Sequence, residues 1–147
     1  FILGAGGVTP SIITSLQSLI GISPGTIWVS NRTIENAKQL KKLFPKIKLI
    51  KWGELPPIFC DIIFNTSSVG LKKGENINID FTNIDKKTLF YDLISNPKET
   101  NFLKEARLRG NNTMNGQRMF LNQAIYAFSL WTNITPKIDD EVVKLLD

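Results

Sequence analysis

At 147 residues, with 42% apolar and 21% charged side chains, the chain has the length and composition of one folded domain rather than a disordered segment. Its longest apolar runs fall short of a membrane span, and no basic stretch leads into an apolar one as in a signal peptide. The net charge of +5 is carried by scattered lysines without an arginine block, which argues against a nucleic-acid partner, and the single Cys60 points to a reducing, cytoplasmic setting.

The chain opens on Phe1-Ile2-Leu3, which run straight into Gly4-Ala5-Gly6-Gly7 and then into an uncharged, apolar-periodic segment. This is how a buried strand turns tightly into a helix. Beginning inside a strand and without an initiator Met, the sequence is expected to continue upstream. Glycines let the backbone approach a ligand, while a helix start offers unpaired N–H groups and partial positive charge to an anion. Set against G-x-G-x-x-G, the motif has Gly4 and Gly6 but Thr9 in third place. By itself it is as readily a plain tight turn as a nucleotide site.

A first helix is expected from about Gly7 to Ile20, with Ile12, Ile13, Leu16, Leu19 and Ile20 at helical spacing and Gly21 as its stop. Pro10 is tolerated there because first-turn N–H groups have no intrahelical partner. Thr26 to Ser30 reads as the second strand. Thr33 then caps a helix to about Phe44, with Ala37, Leu40 and Phe44 on one face, and Ile47 to Ile50 is the third strand.

Asp61 to Asn65 is the next strand, followed by a long polar loop from Thr66 to Asp85 of the kind that often carries function. Leu89 to Leu93 is a fifth strand, and Glu99 to Arg109 a helix with Phe102, Leu103 and Ala106 inward, stopped by Gly110. A short strand near Thr113 and Met114 precedes helices at about Arg118 to Trp131 and Asp139 to Leu146. The alternation predicts an α/β fold: a doubly wound, mainly parallel sheet with helices on both faces.

Three further segments carry chemistry. Asn31-Arg32-Thr33 follows the second strand, whose end in a dinucleotide-binding unit faces the adenosine ribose. An acidic residue there bonds the 2′-hydroxyl of NAD, whereas an arginine accommodates the 2′-phosphate of NADP. Arg32 can grip a phosphate through two donors and Thr33 adds a hydroxyl; alone the segment is a polar helix cap, but its place relative to the glycine turn points to NADP. Asn65 to Gly70, at the end of the fourth strand, is either an Asx or Ser turn or a loop whose small polar side chains touch ribose and nicotinamide. A helix beginning near Gly116 puts Met119 and Gln123 on one face. Met119 could pack on a nicotinamide ring and Gln123 could bond a polar substrate; singly, they read as core packing and as a solvated position. No metal site is expected.

Together these segments resemble shikimate dehydrogenase, specifically its C-terminal nucleotide-binding domain. Five pieces match in order: Gly4 to Gly7, Asn31 to Thr33, Asn65 to Gly70, Asp92 to Thr100, and Gly116 to Gln123 followed by Ala127, Phe128 and Trp131. The first two occur in other Rossmann enzymes, notably glutamyl-tRNA reductase; the last two are more particular. The resemblance implies a Rossmann-like domain over residues 1–147, with helices from about 116 to 147 packing toward a substrate domain. It further implies NADP-linked reduction of 3-dehydroshikimate to shikimate, a step of aromatic amino-acid biosynthesis.

Carried over by position, Gly4, Ala5, Gly6 and Gly7 would approach the pyrophosphate, and Asn31, Arg32 and Thr33 the 2′-phosphate. Thr66, Ser67 and Val69 would lie beside the cofactor, Gly116 and Met119 near the nicotinamide, and Gln123 at the substrate. The family's catalytic Lys and Asp belong to the preceding domain, and the chain has no His. Residues 1–147 alone are therefore expected to hold NADP without turnover. The chain departs from the family at Ser95, usually Tyr, at Arg118, usually Gly, and at Asn36, often basic, for which Lys38 is a candidate substitute. The rival readings are a different enzyme on the same domain and a non-catalytic nucleotide-binding module.

Overall fold

Among the described residues, six short strands pair in parallel into one sheet, in the order β3-β2-β1-β4-β5-β6. The computed structural model describes residues 1–19, 27–54 and 60–144. In chain order the elements are β1 (Ile2–Leu3), α1 (Thr9–Ser18), β2 (Trp28–Ser30), α2 (Ile34–Leu43), β3 (Lys48–Leu49) and β4 (Ile62–Asn65). They continue with β5 (Leu89–Asp92), α3 (Asn101–Leu108), β6 (Asn112–Met114), α4 (Gln117–Thr132) and α5 (Asp140–Lys144). The chain winds outward from β1 to β3, then returns to start its second half beside β1. The register sets Ile2 opposite Val29 on one side and Phe64 on the other.

Successive strand residues point to opposite faces, so each face needs its own cover. Ile2, Val29 and Phe64 pack with Ile13 of α1 and Leu40 of α2. Phe1, Leu3, Ile63 and Phe90 pack on the opposite face with Phe102, Leu103 and Ala106 of α3. This is the doubly wound, Rossmann-like architecture that the strand and helix alternation predicts, with the three inward residues of α3 as expected.

Several boundaries move. α1 begins at Thr9 rather than at Gly7, because Gly6, Gly7 and Val8 stay in the turn. Leu19 lies past the helix end, 56% exposed, with its N–H returned to the Leu16 carbonyl. The expectations for Ile20, Gly21, Thr26 and Leu146 fall outside the described residues. The loop after β4 is not simply polar: Val69, Ile77, Ile79, Phe81 and Ile84 are buried in the α3 cluster. Ile77, Ile79 and Phe81 alternate with Asn78 and Asp80, so an extended segment can bury one side while solvating the other. Phe81 meets Phe90 edge-on at 5.4 Å, and the loop covers the sheet at the β4–β5 crossover, where a helix would otherwise lie.

α4 differs from the other long helices in having no buried residue, and it exposes Phe120, Tyr126, Phe128, Leu130 and Trp131. Among the described residues, no helix is long and apolar enough to cross a membrane.

Candidate functional site

A cavity of about 350 Å³ opens at the carboxyl ends of β1 to β4. Gly4, Ala5 and Gly6 line it after β1, and Asn31, Arg32, Thr33 and Asn36 after β2. Trp52 lines it after β3, and Thr66, Ser67 and Ser68 after β4. The strand order reverses between β1 and β4, and ligands of open α/β sheets bind in the crevice at such a switch point.

The glycine turn is built by close approach to the β4 loop. Gly4 has φ +125°, and a Cβ there would stand 2.6 Å from Thr66 Oγ1 and 2.9 Å from the Ser67 nitrogen. Thr9, in the motif's third position, is fully buried; its hydroxyl donates to the Gly4 carbonyl at 3.2 Å and meets Thr66 Oγ1 at 2.9 Å. Thr66 in turn bonds the Leu3 carbonyl. The missing third glycine is thus replaced by a hydroxyl that ties the turn to β4. A Cβ on Gly6 or Gly7 would meet no protein atom within 4 Å.

Asn31 joins the turn to the end of β2. Its Oδ1 accepts the Ala5 N–H at 3.0 Å, and its Nδ2 donates to the Thr33 carbonyl at 2.7 Å. Thr33 holds the cap position of α2, but its hydroxyl makes no cap bond, contrary to the expected capping role. The Asn36 N–H that such a cap would take bonds the Thr33 carbonyl at 3.2 Å instead, and Thr33 lines the cavity. Arg32 is exposed. Glu75 has its carboxyl held below the usual range by the amide N–H groups of Gly70 and Lys72 first, and by the charges of Lys72 and Arg32 after them.

The Ser67 side of the cavity rests on a buried polar chain. Asn65 Oδ1 accepts from the Ser67 N–H at 3.1 Å and its hydroxyl at 2.7 Å. Asn65 Nδ2 donates to Asp92 Oδ1 and to the Val69 carbonyl, each at 3.0 Å. Asp92 also accepts from the Ile94 N–H at 3.0 Å and from the Thr100 hydroxyl at 2.6 Å. Burial pushes the Asp92 carboxyl above the usual carboxylate range, and the bonds from Thr100, Ile94 and Asn65 work against that.

The cavity fits a phosphate-bearing ligand. Among the described residues none accepts the Gly6 or Gly7 N–H, and both lie in the turn that leads into the ten-residue α1, whose dipole favours an anion. Arg32 adds a cation to the same lining.

No protein-family model matches the chain. Shikimate dehydrogenase (NADP(+)) of Pelagibacter ubique (strain HTCC1062) is 50% identical over 146 residues, covering 99% of this chain and 53% of that protein. Along its whole length the chain is similar to shikimate dehydrogenases. The solved shikimate dehydrogenase from Aquifex aeolicus is similar with a TM-score of 0.79 and 30% identity, over 99% of this chain and 51% of the other. That from Thermus thermophilus, solved in complex with NADP(H) and shikimate, gives a TM-score of 0.77 and 27% identity, over 92% and 49%. The chain spans about half the length of the curated relatives it matches.

Of the residues that the resemblance to shikimate dehydrogenase singles out, eight share the cavity: Gly4, Ala5, Gly6, Asn31, Arg32, Thr33, Thr66 and Ser67. Gly7 sits in the turn before α1 without lining the cavity, and the Val69 side chain belongs to the core. Gly116 is buried against the end of β5: its N–H donates to the Ile94 carbonyl at 3.0 Å, and a Cβ would come within 1.9 Å of the Leu93 oxygen. Met119 is half-buried and Gln123 exposed, one turn apart on α4. Neither lines the cavity, and nor does Lys38, whereas Asn36 does. The sequence reading missed Trp52 and the bracing role of Asp92. The visible signals were an aromatic residue just after the third strand and a carboxylate ending an otherwise apolar fifth strand.

Proposed function

We propose that this chain supplies the NADP site of a shikimate dehydrogenase, the enzyme that reduces 3-dehydroshikimate to shikimate. The observation that carries the reading is that Arg32 and Thr33 share one cavity with the glycine turn, at the switch point of the sheet. In this reading the Gly6 and Gly7 N–H groups donate to the pyrophosphate, and Arg32 and Thr33 grip the 2′-phosphate. Ser67, held by Asn65, and Thr66 lie along the inner ribose side. When bound, NADPH supplies the hydride; the protein aligns it with the substrate carbon.

Met119 would abut the nicotinamide and Gln123 the substrate. The exposed apolar residues of α4, Phe128 and Trp131 among them, would pack against a substrate domain. The proton on the substrate oxygen needs another source, since Arg32 is the one ionisable residue among the described cavity-lining residues. Cys60 carries no disulfide, which fits the reducing cytoplasm.

The test is an assay of the full reading frame carrying this chain, supplied with shikimate and NADP. NADPH formation that depends on shikimate is the expected result. Retained NADP binding without shikimate oxidation would remove the substrate assignment and leave the cofactor site standing.

A further inference from the structure

We propose that Trp52 is the adenine-recognition residue of the cavity, an indole platform on which the purine of the dinucleotide stacks. The inference rests on the NADP reading above and adds the residue that would hold the base. The other described lining residues are Gly, Ala, Asn, Arg, Thr and Ser, which offer backbone, hydroxyl, amide and charge but no flat apolar surface. Trp52 is the one aromatic ring among them.

Its position is set by the backbone. Ile50 donates its N–H to the Val29 carbonyl at 3.0 Å, holding the chain beside β2 beyond the end of β3. The four residues Lys51-Trp52-Gly53-Glu54 then close a turn, with the Glu54 N–H on the Lys51 carbonyl at 3.2 Å. Glu54 Oε2 accepts the Lys51 N–H at 3.2 Å. Gly53, third in the turn, has φ +89°, the left-handed value that a type II turn needs at that place. Trp52 is half-buried, packs against the core cluster that contains Phe1 and Leu3, and reaches the same cavity as Arg32 and Asn36. A ring braced by the core on part of its surface and open to a ligand cavity on another is already ordered before it meets a base, so stacking on it costs little freedom.

The geometry also separates two tasks. Arg32 reads the 2′-phosphate, which only NADP carries, whereas an adenine platform serves NAD and NADP alike. Base–aromatic stacking lost by alanine substitution corresponds to roughly a 5- to 150-fold weakening.

The experiment measures NADP and NAD binding to the chain and to Trp52→Ala and Trp52→Phe, with circular dichroism to check folding. Trp52→Ala should weaken both cofactors by the same factor, leaving their ratio unchanged, and Trp52→Phe should recover most of the loss. As a readout that needs no alanine variant, a chain with Trp28→Phe and Trp131→Phe keeps Trp52 as its one tryptophan. Adenosine 2′,5′-bisphosphate, which has the base but no nicotinamide, should quench its fluorescence, and nicotinamide mononucleotide should not. Unchanged affinity in a folded Trp52→Ala chain, or no quenching by the bound bisphosphate, would overturn the platform while leaving the NADP site intact. A wild-type chain that binds neither dinucleotide would overturn both.

Discussion

Asn31 and Ala5 are bonded across two strand ends, the Asn31 amide oxygen taking the Ala5 N–H at 3.0 Å while the amide nitrogen holds the Thr33 carbonyl at 2.7 Å. One side chain therefore fixes the glycine turn relative to Arg32. Asn31→Ala removes both bonds and should cost about 1–3 kcal/mol of stability. NADP and NAD should weaken together, because the turn serves both. Asn31→Asp keeps the acceptor, loses the donor and sets a negative charge beside the 2′-phosphate position, so NADP should suffer more than NAD. Thermal melts and calorimetric titrations of both variants decide this; an Asn31→Ala chain with unchanged melting and binding would show the brace to be idle.

The glycines separate folding from binding. At Gly4 an alanine meets a left-handed φ and the Thr66 hydroxyl at 2.6 Å, so Gly4→Ala should lose about 3 kcal/mol or more of stability. Gly7 has no protein atom within 4 Å of a Cβ and no left-handed φ, so Gly7→Ala should fold as well as the parent. If the backbone there meets the pyrophosphate, the added methyl should still weaken NADP binding. A fully stable Gly7→Ala chain that binds NADP as tightly as the parent would move the pyrophosphate elsewhere.

This contrast also marks what the sequence could reveal. Strand and helix alternation, the inward face of α3 and the position of Arg32 after β2 all follow from local pattern, because burial repeats every two or every 3.6 residues. The core role of Ile77, Ile79 and Phe81 was hidden because alternation inside a Gly- and Asn-bearing loop resembles no regular element. Trp52 was hidden for a different reason: whether an aromatic after a strand faces core or cavity depends on the neighbouring strand ends, and those meet only in the folded sheet. For α4 the sequence shows apolar periodicity but not what it packs against, and its side chains remain largely outside the two cores.

Asp92 makes stability depend on pH. Burial raises its folded pKa above the unfolded value, so the folded chain holds this proton more tightly than the unfolded one. The contribution of Asp92 is therefore fully present below its unfolded pKa of about 4 and is lost as pH rises through its folded pKa. Glu75, Asp80 and Glu99 have lowered pKa values and act in the opposite sense, so the comparison must cancel them. Asp92→Asn does this: the wild-type advantage in melting temperature over the variant should shrink as pH rises from about 4 toward neutrality. An advantage that grows with pH would mean that the bonds from Thr100, Ile94 and Asn65 outweigh desolvation. Asp92→Ala, which strips those donors of their acceptor, should be destabilised at every pH by about 2–3 kcal/mol.

Asn36 sets how strongly the cavity can favour a 2′-phosphate. It lies in the first turn of α2, lines the cavity with Arg32, and is neutral. Arg32→Ala should cost NADP about 1.5–3 kcal/mol of binding and leave NAD nearly unchanged. Asn36→Lys should do the reverse on a smaller scale, tightening NADP by about 0.5–1 kcal/mol, because a flexible exposed ammonium is partly screened. The gain should fall as salt is raised. A cation at a helix start also opposes the dipole, so the same variant should melt slightly lower without ligand, by about 0.3–1 kcal/mol. Lys38 does not line the cavity, so Lys38→Ala should alter neither cofactor. Titrations of the three variants with NADP and NAD at two salt concentrations test this ordering. A larger NADP loss from Lys38→Ala than from Arg32→Ala would move the phosphate contact one turn further along α2.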